Sequence, residues 1–213
     1  MSITRIRSMR MRPGLGLGVL LVLNVPSVRR MMEGDMALHM LLQFPLILFG
    51  GWLLARELPG QARAGLQKWN HAGIAGLLAT SLILMFWMLP RALDMVLISR
   101  AMELGKFLTL ALAGAALQLS WRAAGTIVRG FLLGNVLPMM MVVGWLYVEA
   151  PVRICNAYLS SDQLRAGSGL LAVSAAACAA WLFAFFMPAS GERNDETVQS
   201  GDTTCQQSAG HPS

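Results

Sequence analysis

The chain has 213 residues, of which 55% are hydrophobic and only 13% are charged. An average soluble domain carries roughly 25% charged residues, so this composition argues against a soluble enzyme. Its 17 basic residues exceed its 11 acidic ones, which gives a net charge of +6. The basic residues are scattered through short segments and form no patch or stripe, which argues against nucleic-acid binding. We therefore predict a membrane protein whose positive charge serves topology, with no nucleic-acid partner.

Apolar segments of about membrane-spanning length follow one another along the chain. They lie at residues 14–28, 37–55, 72–89, 107–120, 126–148 and 166–187. This pattern predicts an all-α fold, a polytopic transmembrane helix bundle of about six spans that covers residues 14–187. Segment 14–28 is short and follows four arginines, so a cleaved signal peptide is the alternative to a retained first helix. Residues 1–13 form a basic N-terminus, and 188–213 form a polar tail that we predict to be disordered.

The distribution of lysine and arginine predicts the orientation, because short cytoplasmic loops retain positive charge during insertion. With the N-terminus inside, ten of the 17 basic residues lie in inner segments and seven in outer ones. Four of the ten precede the first span, where they weigh most. We therefore predict a multi-pass protein of the bacterial inner (plasma) membrane with both termini in the cytoplasm and the lipid bilayer as its first partner.

The connection between the third and fourth predicted spans, residues 90–106, has a helical pattern of its own. Apolar residues recur there at spacings of three and four, and the charged residues lie elsewhere on the helical wheel. This pattern is typical of an amphipathic helix that lies on a membrane surface. We predict such a helix at the outer surface, with its apolar stripe formed by Leu93, Val96, Leu97, Ala101 and Leu104.

Three methionines and one histidine near the start of the second predicted span share one face of a helix. They are Met32, Met36, His39 and Met40. Thioether sulfur and imidazole nitrogen together suit Cu(I), so this face is a candidate copper site, with Gln43 placed to hydrogen-bond the His39 ring. The alternative is core packing, for which a methionine stripe is also typical.

The fifth predicted span contains a second group of methionines. Pro138 predicts a kink there, because proline removes a helical hydrogen bond and clashes with the preceding turn. Met139, Met140 and Met141 follow it and point in different directions, so at most one or two of them could join His39. Asn135 lies one turn before the proline. His71 opens the third span at the opposite end, across roughly 30 Å of hydrocarbon, and we interpret it as structural.

Four segments carry further motifs. They are MALHMLLQFPLILFGGWLL from Met36, FWMLPRALD from Phe86, GNVLPMMMVVGWLY from Gly134 and APVRICNAYLSSDQLRAG from Ala150. Together they resemble the CtaG-like integral membrane proteins associated with cytochrome c oxidase assembly. This chain is shorter than members of that family and has fewer membrane histidines. The resemblance implies a role in copper-centre assembly, with His39, Met36 and Met40 as possible ligands of Cu(I).

The resemblance also implies partners, namely cytochrome c oxidase subunits or a periplasmic copper chaperone. Two other interpretations of the sequence remain open. One is a small permease or exporter whose kinked fifth span lines a path, and the other is a structural subunit of a respiratory complex whose methionines only pack. No phosphate-binding loop, nucleophile elbow or zinc-protease motif occurs in the sequence, so we predict that the protein is not an enzyme.

Overall fold

A computed structural model describes residues 14–150, 155 and 158–186, without the side chains of residues 69, 71, 185 and 186. The predicted basic N-terminus and polar tail lie outside these residues, as does the side chain of His71. The described residues form two compact units that divide after Ala175. The helices are α1 (Leu15–Asn24), α2 (Pro26–Glu33), α3 (Met36–Glu57), α4 (Gly60–Trp69), α5 (Ile74–Trp87), α6 (Pro90–Ile98), α7 (Arg100–Trp121), α8 (Thr126–Glu149) and α9 (Ser160–Phe186).

The described residues contain helices and no strand, which confirms the predicted all-α class. Four helices are long and apolar enough to cross a membrane, namely α3, α7, α8 and α9. Two pairs of consecutive helices are bent, α1 with α2 by 69° and α5 with α6 by 74°. If each pair counts as one span, the total rises to six. The chain is therefore a membrane protein with four to six candidate spans.

The first bend lies at Val25, whose backbone is extended, with ψ of 126°. Proline suits the first position of a helix, because its missing N–H would have no helical partner there and its φ is already helical. Pro26 accordingly ends α1 and at the same time begins α2. The apolar segment predicted at 14–28 is therefore broken at this proline, and a second helix follows it at once.

The predicted surface helix over residues 90–106 is wrong in extent. α6 ends at Ile98, the backbone of Ser99 is extended, and α7 begins at Arg100 and continues as a long apolar helix. Leu93 and Val96 are buried within the protein, whereas Leu97 is exposed. The spacing of apolar residues is the same in a surface helix and in the first turns of a span, so periodicity could not mark the break. Whether α6 lies on a membrane surface stays a prediction.

Helices α3 and α7 pack against each other more extensively than any other pair among the described residues. They run parallel, since the start of α3 meets the start of α7. Glycines make the close approach possible, because a Cβ at Gly51 would collide with the backbone of Ala111, and one at Gly114 with the backbone of Leu48. In lipid, such backbone approach takes the place of a hydrophobic driving force between helices. This crossing fixes the register of α7 against the first turns of α3.

Candidate functional site

The first turns of α3 hold the histidine and methionines singled out from the sequence. The Asp35 side chain caps the helix by accepting a hydrogen bond from the Ala37 amide, at 2.8 Å. Residues 39–43 then form a wide π-helical turn. In a regular α-helix the ring of Pro45 would collide with the carbonyl of Leu41 and would offer it no N–H, which accounts for the wider turn. Such turns occur frequently at functional sites.

The predicted ladder of four residues on one helix is partly wrong. Met32 belongs to α2, because the chain breaks at residues 34 and 35 before α3 begins. Met36 and Met40 do lie on α3 with His39, and the side chains of these three residues are all buried. Met32 is buried in the same apolar cluster as they are. The prediction missed the break between α2 and α3 at Gly34 and Asp35.

Both ring nitrogens of His39 have a close polar neighbour. Nδ1 lies 2.7 Å from the Tyr158 hydroxyl oxygen, and Nε2 lies 3.3 Å from the ammonium nitrogen of Lys106. An ammonium group only donates hydrogen bonds, so Nε2 accepts and the proton of the neutral ring is on Nδ1, from which it is donated to Tyr158. Burial raises the pKa of the Tyr158 hydroxyl above its ordinary value, which keeps that partner uncharged.

Lys106 is fully buried, and three acceptors surround its ammonium group. The Glu33 carboxylate lies 2.6 Å from Nζ, the Gln43 side-chain oxygen 3.1 Å and the His39 Nε2 3.3 Å. The lysine therefore uses all three of its donors within the protein. The sequence predicted Gln43 as a partner of the His39 ring, and this is corrected: the described contact of its oxygen is with Lys106.

Three members of this site were missed from the sequence: Lys106, Glu33 and Tyr158. The sequence places Lys106 in the loop at 90–106, among the charges that set topology, but it lies inside α7 and is buried. A signal existed, because this lysine directly precedes the apolar run at 107–120, where an ionisable residue is a functional candidate. Tyr158 gave no such signal, since it lies 119 positions from its partner His39.

Further charged side chains lie between the lysine and a pocket. Glu33 forms an ion pair with Arg29 at 3.7 Å, and Arg29 in turn pairs with Glu103. A partly open pocket of about 300 Å³ adjoins these groups. It is lined by Asn24, Arg29, Arg100, Glu103, Leu104 and Phe107. Phe107 also lies beside Lys106, and the lysine Nζ is 5.3 Å from the centre of the phenylalanine ring.

Sulfur is concentrated in the apolar cluster around His39. The cluster contains four buried methionines and one buried cysteine, and three further methionines pack against it. These residues are Met32, Met36, Met40, Met88 and Cys155, with Met102, Met139 and Met140 against them. Asn135, in contrast, points to another helix, because its amide donates to the Ser81 hydroxyl at 2.5 Å. Methionines of the fifth predicted span thus reach the cluster, as the sequence allowed, but Asn135 does not.

The chemistry open to this cluster follows from its atoms. Among the described residues, no three His, Cys, Asp or Glu side chains form a group suited to a metal ion. Thioether sulfurs are a different donor class, and they favour Cu(I). The lone pair of His39 that a metal would need is the one on Nε2, which Lys106 occupies in this conformation. Ligation by His39 therefore requires that Lys106 move away.

The thiol of Cys155 is expected to react slowly. It is buried, its sulfur lies 3.9 Å from both the Pro90 carbonyl oxygen and the Tyr147 hydroxyl oxygen, and burial raises its pKa to about 11. At pH 8 only about one thiol in a thousand is then the reactive thiolate. In a chain with Cys178→Ser and Cys205→Ser, iodoacetamide labelling should accelerate about tenfold per pH unit and become fast on denaturation. Equal rates in folded and denatured protein at pH 8 would contradict this environment.

The chain was compared with known proteins at the level of families, curated sequences and solved structures. No family model, no curated protein and no solved structure matches it. The resemblance to CtaG-like proteins therefore stays a prediction made from four short segments of the sequence.

Proposed function

We propose that this protein supports copper-centre formation in cytochrome c oxidase by holding Cu(I) near the outer face of a bacterial inner membrane. The observation that carries the proposal is the sulfur-rich cluster, in which Met36 and Met40 are buried on either side of His39 along α3. Cytochrome c oxidase subunits or a periplasmic copper chaperone would exchange the ion with it. The termini would lie in the cytoplasm.

The ligand chemistry supports a soft, monovalent ion. Thioethers are neutral, so burying them costs no desolvation of charge, and they select Cu(I) over harder cations. Met36 and Met40 lie four residues apart, and the side chains of such pairs are neighbours on a helix. His39 would complete the ligand set once its Nε2 is released from Lys106.

Replacement of the sulfurs tests the site directly. Detergent-purified protein is expected to bind Cu(I) in competition with a colourimetric chelator. A Met36→Leu/Met40→Leu chain, which keeps apolar volume but loses both thioethers, should bind at least about tenfold more weakly, as should His39→Ala. Met31→Leu is the matched control, because Met31 is 66% exposed and its loss should leave affinity unchanged.

The cellular role is tested in the same variants. Cells carrying Met36→Leu/Met40→Leu in place of the native chain should contain oxidase with less copper, while cells carrying Met31→Leu should resemble the wild type. If the purified protein binds no Cu(I) and His39→Ala cells keep normal oxidase copper, the proposal is wrong. Full tolerance of both changes, with stable association of the chain with a respiratory complex, would favour a structural subunit.

A permease for a cation is the second candidate, and the buried pair of Lys106 and Glu33 beside a pocket favours it. Charged groups within membrane helices commonly mark ion or substrate pathways. Proteoliposomes containing the chain should then show cation flux that is lost in Glu33→Gln. If the protein binds copper but the proteoliposomes show no cation flux, the permease candidate is wrong and the copper proposal remains.

A further inference from the structure

The contacts of Lys106 have the form of a cation site. Three acceptors of different chemistry converge on one positively charged atom: a carboxylate oxygen from Glu33, an amide oxygen from Gln43 and an imidazole nitrogen from His39. They come from the end of α2 and from the π-helical turn of α3, whereas the ammonium enters from α7. Helices α2 and α3 thus supply the acceptors, and α7 supplies the cation.

The acceptors are also the donor set of a metal ion. Imidazole nitrogen suits borderline transition metals, and carboxylate and amide oxygens complete such sites together with water. The tautomer of His39 points the Nε2 lone pair at the cation, while the Nδ1 proton is fixed by Tyr158. A hydrogen bond from the second ring nitrogen is the usual support of a metal-bound histidine.

A structural role explains the arrangement less well. A buried ion pair often contributes less to stability than an apolar pair of similar volume, because both charges lose their hydration. Gln43 is fully buried, and its side-chain oxygen, the atom that can bind a cation, accepts from the lysine. A pocket lined in part by Arg29 and Glu103 lies beside the site, because Arg29 also pairs with Glu33.

We propose that Glu33, Gln43 and His39 form a binding site for a divalent transition-metal ion, and that Lys106 occupies this site as a tethered cation. The lysine keeps the site closed, and an ion binds when the ammonium withdraws. This inference shares the Nε2 of His39 with the proposed copper site and goes beyond it, because the other ligands are the oxygen atoms of Glu33 and Gln43 and the methionine sulfurs take no part. It also means that Lys106 controls whether an ion can enter the site, which methionine ligands alone would not provide.

Removal of the lysine is expected to open the site. In Lys106→Met, the competing cation is gone, and Co²⁺ should bind with an affinity about 10- to 1,000-fold higher than in the wild type. This range follows if the lysine-free state is populated at about 0.1–10% in the wild-type protein. The full-length chain in detergent is titrated with Co²⁺, whose visible absorption bands report nitrogen and oxygen ligands, and stoichiometry is measured by equilibrium dialysis.

Three comparisons with other variants test whether the gain in Co²⁺ affinity comes from this site. Lys68→Met is the matched control, because Lys68 lies exposed on α4 and its loss should leave Co²⁺ binding as weak as in the wild type. Lys106→Met/Glu33→Gln and Lys106→Met/His39→Ala each lack one ligand and should lose the gained affinity. A Lys106→Met chain with Met36→Leu and Met40→Leu should keep it, which separates this site from Cu(I) binding.

Folding of the variants is measured together with binding. Lys106→Met should have a lower thermal unfolding temperature without metal and should recover it with Co²⁺ or Zn²⁺, since the ion replaces the ammonium. Lys106→Gln, which keeps a donor for Glu33, is a second variant with the same expected gain. The proposal is overturned if both folded variants bind Co²⁺ no better than the wild type. It is equally overturned if both remain unfolded with metal present, because the ion then does not replace the ammonium.

Discussion

Gly114→Ala is expected to lower the free energy of unfolding by about 1–3 kcal/mol, the usual cost of forcing extra atoms into a packed core. A Cβ at this position would lie 3.0 Å from the Trp52 amide nitrogen and would collide with the carbonyl of Leu48. Both obstacles are backbone atoms of α3, so no side-chain rotation can relieve the contact. The helices must separate, which weakens the most extensive helix pair in the described part of the protein.

Gly105→Ala on the same helix is the matched control. A Cβ there would meet nothing within 4 Å, and alanine is favoured over glycine in a helix by about 1 kcal/mol. Thermal unfolding in detergent, followed by circular dichroism at a helix band, should therefore show a lower transition for Gly114→Ala and an equal or higher one for Gly105→Ala. Equal stability of the two variants would contradict the close crossing of α3 and α7.

The sequence was sufficient for those parts of the fold that depend on local chemistry. The predicted span at 37–55 corresponds to α3 (Met36–Glu57), and that at 126–148 corresponds to α8 (Thr126–Glu149). An unbroken apolar run marks such helices, and the Asp35 cap or a change to polar residues marks their ends. Met36, His39 and Met40 also lie together on one helix, as their spacing predicted, and the structure adds that all three are buried.

The remaining features depend on relations that no local pattern contains. The helix breaks at Ser99, where the backbone is extended, but the spacing of apolar residues over 90–106 does not mark that break. Lys106 meets His39 across 67 positions, and only the close crossing of α3 and α7 brings the two together. From the sequence, the lysine was therefore assigned to a loop and its charge to topology. Inside the bundle the same charge completes the site.

Glu33→Gln is expected to lower the free energy of unfolding by about 3–5 kcal/mol, because it leaves the Lys106 ammonium buried without its carboxylate. The lysine side chain is 0% exposed and that of Glu33 only 11% exposed, so water cannot replace the lost charge. Asp162→Asn is the matched control. Its partner Arg165 has a side chain that is 62% exposed, and such surface pairs contribute little to stability. Thermal unfolding of the two variants in one detergent measures the difference.

The double variant Glu33→Gln/Lys106→Met shows whether folding requires the ion pair, or whether Glu33→Gln is unstable only because it leaves the Lys106 charge unpaired. Since no buried charge remains unpaired, it should be more stable than Glu33→Gln, and the coupling between the two changes should be large. Stability near that of the wild type would mean that folding does not need the ion pair. The buried charges would then be explained by what the site binds. A double variant as unstable as Glu33→Gln alone would instead place Lys106 among the residues that hold the helices together, and would count against its role as a removable cation.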